Sequence, residues 1–132
     1  MSAEETINSL KLALADRADI RLAVLFGSMV EGRETATSDL DLAVETTVSL
    51  TTEQKMALIG ELASRFGRAI DIIDIRQVGQ PLLHEIVSKG VLVKGSVSDK
   101  GDLLYRSIMM EEDFGRYQRR ILEGRRNQWI GL

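Results

Sequence analysis

The stretch from Leu25 to Glu45, LFGSMVEGRETATSDLDLAVE, constrains the fold more than any other part of the chain. An apolar run ends at Phe26 and breaks at Gly27-Ser28. Ten residues further on, Asp39-Leu40-Asp41 sits in a second apolar frame. This reads as a strand, a glycine turn, a loop and a second strand, SDLDLAVE, over 38–45. Side chains alternate along a strand, so Asp39 and Asp41 share one face while Leu40 and Leu42 point to the core.

Two carboxylates held side by side repel unless positive charge lies between them. Hard oxygen donors suit Mg²⁺, which is commonly held by one or two carboxylates plus substrate phosphates. A lone Asp-x-Asp is more often a solvated strand edge. The upstream turn changes that reading. Gly27 lets the backbone approach a ligand closely, and Ser28 falls at the start of a single turn closed by Gly32, where free amides and a hydroxyl can hold a phosphate.

The flanking chain completes an α/β pattern. Ile7, Leu10 and Leu14 mark a helix from about Glu4 to Asp16, and Ile20–Phe26 reads as a buried strand. Thr51 or Thr52 caps a helix that carries Met56, Ile59, Ala63 and Phe66 on one stripe and stops at Gly67. A third strand follows over 69–75. Pro81 opens a short helix that Gly90 ends, Val91–Lys94 is a fourth strand, and 96–101 is a loop. A long C-terminal helix then places Met110, Phe114, Tyr117 and Ile121 on one face, weakened at Gly115 and open to an early end at Gly124. The expected fold is a small mixed β-sheet packed with helices, in one domain spanning 1–132. Its core lies at about 20–95 and a C-terminal helical segment at about 98–130. The third strand offers Asp71 and Asp74, which lie on opposite faces. Spacing does not choose between them, though Asp74 reads as a solvent-facing strand end. His84, the one histidine, reads as an ordinary surface or packing residue.

Composition narrows the function classes. There is no cysteine, so disulfides and thiolate metal sites are excluded. The net charge of -3 divides into a C-terminal stretch, 115–132, with five Arg against one Glu, and an acidic remainder. An acidic body argues against stable nucleic-acid binding. No signal peptide or membrane-length apolar run is present, and a soluble, cytoplasmic protein is expected.

The run GSMVEGRETATSDLDL resembles the Gly-Ser, ten residues, Asp-x-Asp signature of the DNA polymerase beta-like nucleotidyltransferase superfamily. The chain's small size is similar to its minimal nucleotidyltransferase branch. Ile70-Asp71-Ile72-Ile73-Asp74 resembles the third-strand motif whose first Asp is the third catalytic carboxylate, and PLLHEIVSKGVLVK, from Pro81 to Lys94, resembles the helix–glycine–strand ending. One departure stands out. Relatives commonly carry a small and then a basic residue after Gly-Ser. Here Val30 takes the small position and Glu31 replaces the positive charge, with Arg33 available to compensate.

The resemblance implies catalytic and metal-holding roles for Asp39, Asp41 and Asp71, with two Mg²⁺ ions. It implies nucleotide contacts from Gly27, Ser28, Arg33 and Ser38. It further implies transfer of AMP from ATP to a hydroxyl, most often a tyrosine of a HEPN-domain ribonuclease toxin encoded by a neighbouring gene, the nucleotidyltransferase acting as antitoxin. The C-terminal segment with Tyr105, Phe114, Tyr117 and Trp129 offers a docking surface, since aromatic and Arg residues are enriched at interfaces. Two alternatives remain at this stage: a non-catalytic module that masks its partner, and transfer to a small hydroxyl compound such as an aminoglycoside.

Overall fold

The computed structural model describes residues 2–33, 35 and 38–110. The expectations for Phe114, Gly115, Tyr117, Ile121, Gly124, Trp129 and the basic stretch 115–132 lie outside the described residues. Seven elements run in order: α1 (Ala3–Ala15), β1 (Ile20–Phe26), β2 (Leu40–Thr46), α2 (Thr52–Phe66), β3 (Ile70–Asp74), α3 (Leu82–Lys89) and β4 (Val91–Lys94). A further helix, α4, occupies 97–110.

The four strands form one sheet in the order β3-β2-β1-β4. β1 runs antiparallel to both β2 and β4, and β2 runs parallel to β3. A parallel neighbour needs a crossover, and α2 supplies it. The sheet is covered on both faces, which explains why every β1 residue but Arg21 is buried. Leu10, Leu14, Leu42, Leu58, Leu62 and Ile72 belong to the core under α1 and α2. Leu22, Val24, Ala43, Leu83, Ile86 and Leu103 belong to the core under α3 and α4.

Local signals set the element ends. The Ser2 hydroxyl accepts from Glu5 N at the start of α1. Thr51 caps α2 in a reciprocal pair with Gln54. Three expectations shift. β2 starts at Leu40 rather than residue 38, because Ser38 N donates to Thr35 O (3.2 Å) and Thr35 N donates to Ser38 Oγ (2.7 Å), which curls that stretch into a turn. The expected loop over 96–101 is already helical from 97. There Ser96 Oγ accepts from Asp99 N while the Asp99 carboxylate accepts from Ser96 N, a cap that the short sequence SVSD hides. On α2 the buried stripe centres on Leu58 and Leu62, with Ile59, Ala63 and Phe66 beside it, and Met56 faces solvent.

Candidate active site

The chemistry-bearing residues collect where β1 ends and β2 begins. Phe26 of β1 pairs with Asp41 of β2, and Asp41 pairs with Asp71 of β3, so one row crosses three adjacent strands. Asp41 and Asp71 share the face covered by α3, since Ala43 and Ile73, two residues further along each strand, pack in that core. Asp74 falls on the α2 face, as its spacing from Asp71 requires. It is half-buried rather than fully solvated, accepts from Arg76 N at 2.9 Å, and lines a separate cavity of about 170 Å³ with Lys55 and Thr46. The parallel register thus decides what spacing left open: Asp71 joins Asp41 and Asp74 does not.

Asp39 is exposed just ahead of β2, and Asp41 is half-buried. Burial pushes the Asp41 carboxyl above the ordinary carboxylate range, and repulsion from Asp71, Asp39 and Glu85 adds to the rise. These are the marks of acidic groups gathered without compensating charge. Glu85, from α3, is a fourth member that the sequence reading missed.

Gly27 has φ +82, and a Cβ added to it would lie 2.2 Å from Asp41 Oδ2. Only a residue without a side chain lets the turn lie against that carboxylate. Gly27 O then accepts from both Val30 N and Glu31 N at 3.2 Å, and Arg33 N donates to Ser28 O at 3.1 Å, which makes the expected single turn. Gly32 closes it at φ +72. Ser28 is half-buried within this turn.

Around the turn, Glu31 Oε2 accepts from Arg33 Nη2 at 2.7 Å, and Glu31 Oε1 lies 3.1 Å from Lys89 Nζ at the end of α3. The bond from Arg33, followed by that from Lys89, holds the Glu31 carboxyl below its usual range. Ser38 uses its hydroxyl within its own loop, and Arg68 Nη1 fastens that loop through Thr35 O (2.9 Å) and Ser38 O (3.1 Å). Arg68 thereby sets the approach to Asp39. Glu85 and Lys89 are four apart on α3, a spacing visible in HEIVSK, but nothing local says that the helix faces this site. His84 is exposed, as expected.

The donor chemistry suits a hard divalent cation: oxygen ligands only, in excess negative charge. Among the described residues no three acidic or histidine side chains stand close enough to hold a metal as they are. Asp39 and Asp71 are exposed, so turning their carboxylates toward Asp41 meets no packing. The residues fit the ion by the chemistry of their oxygen donors. Among the described residues no helix is long and apolar enough to cross a membrane.

Comparison with known proteins identifies the family and the fold. The family model described as "Polymerase beta, Nucleotidyltransferase" matches residues 8–99. The chain is 25% identical over 114 residues to protein adenylyltransferase MntA of Shewanella oneidensis, covering 86% of this chain and 82% of that protein. A crystal structure of a toxin–antitoxin with AMP-PNP is similar at TM-score 0.77 and 25% identity, over 89% of this chain and 96% of its own. A structure of tri-AMPylated Shewanella oneidensis HEPN toxin in complex with MNT antitoxin is similar in fold, with TM-score 0.72 and 23% identity over 92% of this chain and 97% of its own.

Proposed function

The chain belongs to the polymerase beta nucleotidyltransferase family, and on that footing we propose that it is an antitoxin that transfers AMP from ATP to a tyrosine of a partner HEPN-domain toxin. The observation that carries this reading is the row Phe26–Asp41–Asp71 with Gly27 pressed against the Asp41 carboxylate. Relatives described as an adenylyltransferase, as an AMP-PNP complex and as an assembly with an AMPylated toxin supply the donor and the acceptor. ATP as donor puts the reaction in the cytoplasm.

In this reading the start of the Gly27–Gly32 turn, ahead of the Val30 and Glu31 amides that already donate to Gly27 O, takes the outer phosphates together with the Ser28 hydroxyl, with Arg33 and Ser38 completing the nucleotide contacts. Asp39, Asp41 and Asp71 would hold Mg²⁺, which supplies charge neutralisation on the phosphates and a lowered pKa at the acceptor hydroxyl. The tyrosine oxygen forms a bond to the α-phosphorus, the bridging bond to the β-phosphate breaks, and pyrophosphate leaves. Asp71, the exposed carboxylate of the row, takes the phenolic proton. No nucleophilic side chain of this chain is required, because positioning and charge stabilisation dominate phosphoryl-type transfer. We take 1–132 as one minimal domain, its core at about 20–95. The exposed Leu104, Tyr105 and Ile108 of α4 support a docking role for the segment at about 98–130.

The test is incubation with labelled ATP, Mg²⁺ and the protein encoded beside this one. Label on a tyrosine of that protein, lost in Asp39→Asn plus Asp41→Asn, is the expected result. A tight complex without label, indifferent to those substitutions, would reduce the chain to a masking module. Label on an aminoglycoside instead would move the acceptor.

A further inference from the structure

The turn carries a negative residue, Glu31, beside the place where phosphates are to sit, yet the charge is not left bare. Its side chain is only 16% exposed and faces two cations, Arg33 at 2.7 Å and Lys89 at 3.1 Å, whose own side chains are 66% and 56% exposed. The local sum is one net positive charge at the rim of the turn. The two cations are more than half exposed, so water screens their bonds to Glu31. Such pairs are therefore easily exchanged for a ligand with more negative charge.

Lys89 is not there by a chance swing of a long side chain. It ends α3, and that end is clamped to β1 at the next residue: a Cβ on Gly90 would lie 2.4 Å from Val24 Cγ1 and 2.2 Å from Ile86 O. Val24 sits two residues before Phe26, which leads into Gly27. One turn earlier on the same helix, Glu85 is near enough to Asp41 to help raise its pKa. α3 therefore lies along the site, with its acidic residue toward the carboxylates and its basic residue toward the turn.

Resting on the nucleotide-site reading above, we propose that Lys89 is a binding residue for the triphosphate, and that Glu31 is a resident carboxylate holding Lys89 and Arg33 at the turn until phosphate oxygens replace it. A triphosphate offers several anionic oxygens to the same two cations, and charge-assisted bonds to such oxygens are stronger than neutral ones. Two cations on a rigid helix end and a tight turn lose little freedom when they bind.

The experiment measures binding of a non-hydrolysable ATP analogue, of AMP and of inorganic tripolyphosphate to the full chain with Mg²⁺, by calorimetry. Five proteins are compared: wild type, Lys89→Ala, Lys89→Arg, Glu31→Gln, and Glu31→Gln combined with Lys89→Ala. Lys89→Ala is expected to weaken the analogue and tripolyphosphate by about tenfold, roughly one charge-assisted bond, and to leave AMP within about twofold. Lys89→Arg restores most of the loss. Glu31→Gln tightens both triphosphates, and Lys89→Ala still weakens them in that background. If Lys89 serves only Glu31, its removal is silent once Glu31 is Gln, and that result overturns the proposal. Binding of neither triphosphate by wild type overturns both this proposal and the nucleotide-site reading. Tripolyphosphate binding that depends on Lys89, without AMP transfer to any acceptor, keeps Lys89 in place and removes the transferase reading alone.

Discussion

Gly27 and Asp41 occupy space that only one side chain can fill: a methyl group on Gly27 would overlap the Asp41 carboxylate at 2.2 Å from Oδ2. Gly27→Ala therefore meets a clash as well as an unfavourable φ of +82. It is expected to cost about 1–3 kcal/mol of stability and, by displacing the carboxylate, about a hundredfold in transfer rate. Gly32→Ala is the control. Its φ of +72 is equally left-handed but nothing lies within 4 Å of the added atom, so chemical denaturation should show a loss of about 1–2 kcal/mol with most of the activity kept. Equal loss of activity in both variants would show that turn strain, not Asp41, is what matters.

Asp41 is raised by burial and by its acidic neighbours. The folded protein thus holds this proton to higher pH than the unfolded chain does. The stability tied to the group is complete below the unfolded carboxylate pKa and is lost as pH rises through the folded one. At neutral pH the ionised group is a liability, and Asp41→Asn should raise the melting temperature by about 2–4 °C while abolishing transfer. The gain should shrink as pH falls through the raised carboxyl pKa of the folded protein, below which the wild-type group is neutral too. A lower melting temperature for the Asn variant at pH 7 would contradict the repulsion inferred here.

Arg68, just ahead of β3, holds Thr35 O and Ser38 O ahead of the neighbouring β2. Arg68→Ala releases the loop that delivers Asp39, so kcat should fall about tenfold or more with a stability change of about 1 kcal/mol. Steady-state kinetics beside a denaturation curve separates the two effects. A large stability loss with normal kcat would make Arg68 a purely structural residue.

Lys94 serves the fold at a distance from the site. Its Nζ donates to Leu14 O at 2.9 Å and to Arg17 O, closing the end of α1. Lys94→Met keeps the aliphatic stem and removes the donors, and should destabilise by about 1–3 kcal/mol without altering kcat. Altered nucleotide turnover would tie α1 to catalysis, which the geometry gives no reason to expect.

Much of this is written locally. β1 is an unbroken apolar run and appears where the sequence puts it, because both faces of that strand are covered. Thr51 and Gly67 bound α2 as their chemistry requires. The Gly-Ser turn and the two carboxylates after it are visible as spacing. What was not legible depends on contacts between distant segments. The choice between Asp71 and Asp74 needs the parallel register that α2 brings about. Glu85 and Lys89 look like any charged pair on a short helix until α3 is laid beside the turn. The Ser38 hydroxyl could face a ligand or its own loop with the same sequence, and it bonds to Thr35 N. Met56 fits a helical stripe on paper, yet the stripe one step round, at Leu58 and Leu62, meets the sheet instead.

The pairing of Phe26 with Asp41 and of Asp41 with Asp71 makes this site a readout of strand alignment. If β2 slid by one residue against its neighbours, Leu40 or Leu42 would take the place of Asp41 and the carboxylate would enter the α2 side of the sheet. Lengthening the segment ahead of β2 leaves that alignment alone, whereas a single codon inserted between Leu40 and Ala43 would break the core and the chemistry in the same stroke.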